Sequence, residues 1–253
     1  MERAGHRQLI LWIVNGHQGL HTVAFRRNTM SLELVFHGHS AFVLSDGQIT
    51  VAVDPFFTGN PAATIEADQV TCTHVALTHG HEDHFGDTIQ IAKNNDATVV
   101  AAYEIVNYVA EQGHDKGEPG NPGGRICIGD DSWIAFTQAF HSSSYQGRYM
   151  GMPCGLVIHL GGKTVYHCGD TGLFGDLALI GEMYKPDVAL IPIGDRFTMG
   201  PEQASRAADM IGAPVVVPIH YNTWPPIEVD VTDFAPSDAE VKVLQSGDSI
   251  RFD

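Results

Sequence analysis

The sequence predicts a single α/β domain, and three observations support this. Short apolar runs of strand length alternate with helix-length segments over residues 30–253, without an intervening linker. With 253 residues, of which 43% are hydrophobic, the chain is long enough to bury one substantial core. Several apolar runs end at a histidine or an aspartate, which is typical of ligand sites at one edge of an open α/β sheet.

The first strands are the most clearly marked elements. Asp46-Gly47 predicts a tight turn between two of them, because glycine readily adopts a positive φ. Asp54 stands before Pro55, which favours extended backbone and ends the third strand. The three predicted strands are Leu32–Phe36, Ala41–Ser45 and Ile49–Val53.

Helices and further strands follow in alternation. Two helices are predicted over Phe85–Lys93, opening at His84, and over Ile105–Glu111, with the short strand Thr98–Ala101 between them. Residues 113–124 contain five glycines and two prolines and therefore predict a loop. Pro201, with an acidic residue next to it, predicts the start of a later helix.

Four candidate metal ligands lie within six residues, directly after the apolar run Val75–Leu77. His79 and His81 are two positions apart, so in extended backbone they point to one side and can bind one ion. Asp83 and His84 are adjacent, which suits a second ion nearby. Imidazole and carboxylate together favour zinc, iron or manganese over calcium or magnesium. The alternative is a solvated polar loop, which a cluster this dense makes the weaker interpretation.

Three distant segments offer further ligands at the ends of apolar runs. His141 follows the strand-like Trp133–Phe140, and Asp170 lies two residues after Lys163–Cys168. His220 ends a third apolar run. Each histidine alone would more often be a structural residue than a ligand. Because strand ends on one sheet edge converge in space, we expect the three side chains to join the first cluster.

These residues resemble the pattern of the metallo-β-lactamase superfamily. The order is His-x-His-x-Asp-His at residues 79–84, then His141, Asp170 in a Gly-Asp-Thr-Gly turn, and His220. The closer resemblance is to a branch of metal-dependent hydrolases related to L-ascorbate-phosphate lactonase and, more remotely, to the phospholipase D that acts on N-acyl phosphatidylethanolamines. Further phrases that carry it are Gly38–Phe42, Asp54–Phe56, Thr58–Pro61, Phe140–Ser144, Gly169–Phe174, Pro192–Asp195, Phe197–Gly200 and His220–Thr223.

The resemblance implies both a fold and a chemistry. The fold is a four-layer αβ/βα sandwich, in which two mixed β-sheets are flanked by helices. The implied site holds two divalent ions, one on His79, His81 and His141 and the other on Asp83, His84 and His220, with Asp170 bridging them. The implied activity is hydrolysis by a metal-bridging hydroxide of a small ester, lactone or phosphoester. Asp83 is the candidate to orient the hydroxide or to carry a proton, so Asp83 and Asp170 are the predicted catalytic residues.

Four more residues are candidates for substrate contact or for support of the ligands. Asp54 ends a strand just upstream of the ligand loop and could accept the free N–H of a ligand histidine, or could be only a pre-proline turn residue. His39 could contact substrate, or could bond to backbone within its loop. Asn222 follows the last ligand closely enough to line the pocket, as does Thr223. Arg196 would favour an anionic substrate if it faced the site, and would be uninformative if it faced solvent.

Composition narrows the partners and the location. The formal net charge is −16, from 30 acidic and 14 basic residues, which argues against a nucleic-acid partner because phosphate backbones are bound by lysine and arginine. We expect a small-molecule substrate and no membrane span. The four cysteines form no C-x-x-C pair, so we predict reduced core thiols in a cytoplasmic protein. Members of the resembling branch often form homo-oligomers, which is expected here on that ground alone.

Residues 1–29 do not share the pattern of the rest. They carry four arginines against a single acidic residue, Glu2, and the apolar stretch Leu9–Val14 is too short for a membrane span or a signal-peptide core. The resemblance begins at about Met30. We therefore expect a poorly ordered N-terminal extension, or a mis-assigned start codon, followed by one hydrolase domain over residues 30–253.

Two other classes of function remain open from the sequence. One is a non-catalytic metal-binding or regulatory protein on the same fold. The other is a diiron redox enzyme, which would need a flavin-binding partner domain and a cluster richer in carboxylates, neither of which is visible in the sequence. The identity of the metal, the substrate and the oligomeric state cannot be read from the residues, because histidine-rich sites accept zinc, manganese or iron.

Overall fold

The computed structural model describes residues 31–252, so the predictions for residues 1–29 lie outside it. The described chain forms these strands: β1 Leu32–Phe36, β2 Phe42–Ser45, β3 Thr50–Val53, β4 His74–Ala76, β5 Thr98–Ala102, β6 Gly117–Gly120, β7 Arg125–Cys127, β8 Trp133–Gln138, β9 Ser144–Tyr145, β10 Arg148–Tyr149, β11 Cys154–Leu160, β12 Lys163–His167, β13 Val188–Pro192, β14 Val215–Ile219, β15 Glu240–Val241 and β16 Ser249–Phe252. Its α-helices are α1 Glu82–Phe85, α2 Thr88–Asn95, α3 Tyr103–Glu111, α4 Leu177–Tyr184 and α5 Pro201–Ile211.

The long strands form two seven-stranded mixed sheets. The first sheet has the order β16-β1-β2-β3-β4-β5-β6, and the second has the order β15-β14-β13-β12-β11-β8-β7. In the first sheet β3 to β6 run parallel and the remaining pairs are antiparallel. The second sheet repeats this plan, with β12 to β15 parallel. Parallel neighbours place their carboxyl ends at the same sheet edge, where the ligand residues are expected.

Three apolar clusters separate four layers. Side chains of both sheets, among them Leu34 and Leu156, pack against each other between the sheets. Helices α2 and α3 cover the outer face of the first sheet through residues such as Ile91 and Ile105. Helices α4 and α5 cover the outer face of the second sheet, where Ala204 is fully buried. This arrangement of helix, sheet, sheet and helix confirms the predicted αβ/βα sandwich.

The helix predicted over Phe85–Lys93 is wrong in its extent. The chain forms α1 and α2 instead, with Gly86 at the break. Gly86 has a φ of +37°, and a Cβ there would lie 2.6 Å from the carbonyl oxygen of Pro55. The break brings the backbone of the ligand segment against the loop after β3, which no helical periodicity can signal.

The loop predicted over residues 113–124 is also only partly correct, because it contains β6. Gly117 and Gly120 lie in this strand at positions where side chains of other elements pack against the backbone. A Cβ on Gly117 would lie 2.4 Å from Val106, and one on Gly120 would lie 2.2 Å from Phe136. These glycines therefore serve close packing rather than turns.

The cysteine prediction needs one correction. All four cysteines are free, and Cys72, Cys154 and Cys168 are buried as predicted. Cys127 is exposed, because it ends the edge strand β7. Among the described residues no helix is long and apolar enough to cross a membrane.

Candidate metal centre

The predicted ligands all follow the carboxyl ends of strands. The segment after β4 carries His79, His81, Asp83 and His84, and the last two lie in the short helix α1. The other three ligands follow strands of the second sheet: His141 follows β8, Asp170 follows β12 and His220 follows β14. The site therefore lies between the two sheets, at the edge where these strands of each sheet end. The structure brings all seven side chains together.

Their ligand atoms fall into overlapping groups, each with all atoms within 4.8 Å of one another. The groups are His79, His81 and His141; His79, His84 and Asp170; and His39, Asp83, His84 and His220. The first group and the last share no member. They coincide with the two ligand sets that the resemblance implies, except that His39 joins the second.

Asp170 stands between the two sets. Its Oδ2 lies 3.0 Å from Nε2 of His220, 3.4 Å from Nε2 of His141 and 4.0 Å from Nε2 of His79. Its Oδ1 lies 3.3 Å from Nε2 of His84. One buried carboxylate thus faces histidines of both sets.

The histidines of the first set are suited to coordinate a metal as neutral imidazoles. His79 is fully buried, and its Nε2 lies 3.0 Å from Nδ1 of His81. Burial, followed by the neighbouring His84, holds the pKa of His79 well below its usual value. Burial also lowers the pKa of His81 and His141. Neutral imidazole keeps the lone pair that coordination requires.

The second set is organised around Asp83. Its Oδ2 lies 3.1 Å from Nε2 of His39, 3.6 Å from Nε2 of His220 and 3.9 Å from Nε2 of His84. Burial opposes ionisation of Asp83, but His84, His220 and His39 outweigh it and hold the pKa of Asp83 far below its usual value. Burial likewise opposes protonation of His220, and Asp170 outweighs it, raising the pKa of His220 to about 9.

The donor set fits divalent metal ions. Among the described residues, Nε2 of His84 and Oδ1 of Asp170 are buried and have no hydrogen-bond partner, although they lie only 3.3 Å apart. Nδ1 of His220 is unpartnered in the same way. Buried polar atoms normally have partners, and leaving one without costs about 1–3 kcal/mol. A cation between His84 and Asp170 would satisfy both atoms.

Asp54 supports the ligands as a buried carboxylate behind them. Its Oδ2 accepts from Nδ1 of His84 at 2.7 Å and from Oγ1 of Thr78 at 2.7 Å, and its Oδ1 accepts from the backbone N–H of Thr78 at 2.8 Å. Oγ1 of Thr78 lies 2.9 Å from Nδ1 of His79. The predicted extended backbone at Asp54 is wrong, because its φ is +44°. The hydrogen bonds of its side chain hold Asp54 in this backbone conformation.

His39 lies beneath the site rather than at its surface. Its side chain has 0% exposure, Nε2 contacts Asp83 and Nδ1 lies 2.8 Å from Oγ1 of Thr223. Burial, then His220, lowers the pKa of His39 to about 4. The ring bonds to side chains instead of to backbone, which contradicts the second of its two expected roles. His39 also lines a separate cavity of about 310 Å³, so its contact with substrate stays a prediction.

The structure does not bring Asn222 or Arg196 to the ligands. Asn222 is exposed, and its Oδ1 accepts from the backbone N–H of Val229 at 2.8 Å, so it shapes its own loop. Arg196 is exposed, with its guanidinium 5.5 Å from the ring centroid of the adjacent Phe197. The cavity above the ligands is lined by neither residue. Sequence reasoning placed Asn222 by its proximity to His220 along the chain, which does not determine side-chain direction in a loop. It left both orientations of Arg196 open, and the structure shows the exposed one.

Two adjoining cavities share Asp83 of the cluster. The ligand cavity, of about 380 Å³, is lined by His81, Asp83, His141, Ser142, Asp170, Phe197, His220 and Trp224. The second, of about 520 Å³, is lined by Phe56, Thr58, Gly59, Glu82, Asp83, Gly86, Asp87, Tyr145 and Trp224. Sequence reasoning missed Trp224, Tyr145 and Thr78. Only their nearness to ligand motifs could have signalled them.

Known proteins share both the sequence and the fold. The family model described as "Beta-lactamase superfamily domain" matches residues 49–221. A "UPF0173 metal-dependent hydrolase" of Anoxybacillus flavithermus is 46% identical over 226 residues, covering 87% of this chain and 100% of the relative. One of Thermus thermophilus is 45% identical over 227 residues, with coverage of 88% and 100%.

A solved structure agrees with these relatives. Igni18, described as a novel metallo hydrolase from the hyperthermophilic archaeon Ignicoccus hospitalis, has a TM-score of 0.81 and 37% identity, covering 88% of this chain and 99% of that one. With its two mixed sheets and its histidine and aspartate cluster, this chain belongs to the metallo-β-lactamase superfamily, within its metal-dependent hydrolases.

Proposed function

We propose that the protein is a dinuclear metal-dependent hydrolase that cleaves a small ester, lactone or phosphoester. The observation that carries the proposal is the position of Asp170, whose two oxygens face histidines of both ligand sets. A single-ion site needs no buried carboxylate directed to both sides. Zinc, manganese and iron all suit a set of five histidines and two aspartates.

In this proposal His79, His81 and His141 hold one ion, Asp83, His84 and His220 hold the other, and Asp170 contacts both. Such ions would supply two effects, a lower pKa of bound water, toward about 7, and polarisation of the substrate oxygen that gains negative charge. The chain positions this chemistry through Asp54, which accepts a hydrogen bond from His84 directly and reaches His79 through Thr78.

Asp83 is the chain's own group for handling the attacking water. Its side chain is 27% exposed, whereas that of Asp170 is 3% exposed, so only Asp83 presents a carboxylate to both cavities. His39 holds Oδ2 of Asp83 from below at 3.1 Å. A carboxylate held in this way can accept a hydrogen bond from water and keep it directed at the substrate.

Two features separate this proposal from the alternative functions. The open ligand cavity contains Asp83 and His81 at its surface, which a purely structural metal site would not need. The cluster contains two carboxylates against five histidines, which favours hydrolysis over the carboxylate-richer clusters expected for diiron redox chemistry. A regulatory metal-binding role would be supported only by metal binding without turnover.

Replacing Asp170 tests the proposal directly. Asp170→Asn keeps the size of the side chain but removes the charge that faces both sets, so we expect metal content to fall and turnover to fall by at least about 100-fold. The measurements are elemental analysis and rates on a panel of esters, lactones and phosphodiesters, with Asp131→Asn, at an exposed position, as the matched control. Wild-type turnover in Asp170→Asn would contradict the proposal, as would a metal-loaded wild-type protein that is inert on the whole panel.

A further inference from the structure

The second cavity, which we name the aromatic–acidic pocket, adjoins the proposed reaction centre. It is the space of about 520 Å³ lined by Phe56, Thr58, Gly59, Glu82, Asp83, Gly86, Asp87, Tyr145 and Trp224. It shares Asp83 and Trp224 with the ligand cavity. A substrate whose reacting group lies above the ligands can therefore extend its other end into this pocket. The pocket's chemistry then selects that end.

All the charge of this pocket is negative. Its lining contains three carboxylates and no lysine or arginine. Asp83 is committed to the ligand cluster, and Oδ2 of Asp87 accepts from the backbone N–H groups of Phe57 and Thr58 at 2.9 and 2.8 Å. Glu82 is exposed and has no ion-pair partner within residues 31–252. Glu82 is therefore the carboxylate of this pocket that is available to bind a ligand.

Aromatic rings form the walls of the same pocket. The ring centroids of Phe56 and Trp224 lie 6.1 Å apart at 35°, so the two rings form one tilted surface. Tyr145 lines the pocket as well, and its ring packs at 4.8 Å on the buried Phe85. Burial, then the neighbouring Tyr108 and Glu82, raises the pKa of Tyr145. Aromatic faces beside a carboxylate attract an organic cation.

We propose that the aromatic–acidic pocket binds an ammonium group on the non-reacting end of the substrate. This inference rests on the proposed hydrolase function of the adjoining ligand cluster. A cation would lie beside the partly exposed rings of Trp224 and Tyr145 and the carboxylate of Glu82, with Phe56 buried behind them. An anionic end would meet carboxylates without a compensating lysine or arginine, which makes the pocket selective against it. The favoured substrates are esters, lactones or phosphodiesters that carry an amine or a quaternary ammonium.

Equilibrium binding of two isosteric alcohols to the full metal-loaded chain tests the pocket without relying on turnover. Choline and 3,3-dimethylbutan-1-ol share shape and hydroxyl, so contacts of the hydroxyl with metal cancel, and only the charge differs. By calorimetry we expect choline to bind at least about 5-fold more tightly. Glu82→Gln should reduce this ratio several-fold, and Trp224→Leu should weaken the binding of choline.

Matched variants and a second probe decide the outcome. Glu182→Gln, an exposed glutamate on α4, should leave the choline ratio unchanged, and thermal unfolding should show that the variants are folded. Equal binding of the two alcohols, or an unchanged ratio in Glu82→Gln, would overturn the proposal. So would tighter binding of 2-hydroxyethanesulfonate, an anion that shares the hydroxyethyl group of choline and coordinates metals weakly, than of choline.

Hydrolysis rates separate this proposal from the proposed function. The pair is a choline ester and the corresponding 3,3-dimethylbutyl ester, together with their p-nitrophenyl phosphodiester counterparts. A choline preference in binding without turnover of any substrate would support the pocket and count against the hydrolase. Turnover without a preference for the cationic member in binding or in kcat/KM would support the hydrolase and overturn the pocket.

Discussion

At the scale of the residue, Asp54 shows how one buried carboxylate can orient ligands of both sets. It accepts a hydrogen bond from Nδ1 of His84 and, through Oγ1 of Thr78, controls Nδ1 of His79. Each imidazole is thereby left with Nε2 directed toward Asp170. Orientation of this kind lowers the entropy that ligands lose on binding a metal.

Replacing Asp54 should weaken metal binding more than it weakens the fold. Asp54→Asn retains a short polar side chain suited to the φ of +44° but has only one acceptor oxygen in place of two. Its amide N–H₂ would therefore face either the backbone N–H of Thr78 or the donors His84 and Thr78 Oγ1, all of which the carboxylate accepts. We expect a loss of metal affinity of about 10–100-fold, measured by competition with a chromophoric chelator. Asp131→Asn, at an exposed position, is the control, and wild-type affinity in Asp54→Asn would refute the role.

The thiols make a second prediction at this scale. Burial raises the pKa of Cys72 to about 11 and that of Cys154 to about 12, and it also raises the pKa of Cys168. Because the thiolate is the reactive form, these cysteines should react slowly in the folded protein, whereas the exposed Cys127 should react quickly. A disulfide exchange reagent at pH 8 should detect one fast thiol per chain, and Cys127→Ser should abolish it. A fast phase that survives in Cys127→Ser would contradict the described burial.

Ligand residues could be predicted because each combines a reactive side chain with the end of an apolar run. His220 and Asp170 are examples of this combination. Thr78 and Trp224 could not be predicted, because their roles depend on which atoms their loops bring near. Trp224 reaches the site from a loop beyond β14, where its ring lies 4.8 Å from that of His39.

At the scale of the element, the break between α1 and α2 determines where the ligand segment lies. Gly86 approaches the loop after β3 so closely that a Cβ would meet the oxygen of Pro55 at 2.6 Å and Cα of Phe56 at 2.7 Å. Asp87 continues the contact by accepting from the N–H groups of Phe57 and Thr58. The two loops are therefore packed against each other next to His84.

A pair of glycine substitutions tests this contact. Gly123 also has a positive φ, +92°, but a Cβ there would meet nothing within 4 Å. Gly123→Ala should cost about 1–2 kcal/mol of unfolding free energy from backbone strain alone. Gly86→Ala should cost about 1–3 kcal/mol more because of the overlap with Pro55 and Phe56. Denaturant unfolding of both variants measures the difference, and equal costs would show that the close approach is not rigid.

Elements whose pattern comes from burial alone could be predicted well. The alternating burial of β1 matches its predicted bounds of Leu32–Phe36. Elements set by tertiary contacts could not. The glycines of β6 indicated a loop by composition, although they lie where Val106 and Phe136 leave no room for a side chain. Composition reflects the local conformational preferences of the backbone. These two glycines are required instead by contacts with side chains of other elements.

At the scale of the whole molecule, the two ends of the described region, residues 31–252, pair with each other in the first sheet. Strand β1 pairs with both β2 and the final strand β16, so the first sheet joins the two ends of the described region. The relatives from Anoxybacillus and Thermus align over 226 and 227 residues and over their whole lengths. We propose that the N-terminal arm is dispensable for this domain.

Starting the chain at Met30 tests that proposal. All the described strands and helices are retained in this variant, so we expect its melting temperature to lie within about 3 °C of that of the full chain, with unchanged metal content. Differential scanning fluorimetry and elemental analysis are sufficient measurements. An insoluble product, or one without metal, would show that the arm contributes to the fold.

The four-layer architecture could be predicted from the order of ligand motifs, because that order resembles one superfamily. The division of the ligands between two sheets could not, because each ligand was seen only to follow an apolar run and the ligands were expected to converge at the edge of one sheet. The selectivity of the pocket could not be predicted, since Phe56, Tyr145 and Trp224 are far apart in the chain and only the packed loops bring them together. Oligomeric state and cellular location stay predictions of the sequence.

The most direct test of the account is anomalous X-ray diffraction from crystals of protein loaded with zinc or manganese, measured at the absorption edge of that metal. The account predicts two peaks about 3.5–4 Å apart, one beside His79, His81 and His141 and one beside Asp83, His84 and His220, with Asp170 between them. A single peak away from Asp170, or no peak at either ligand set after loading, would contradict it.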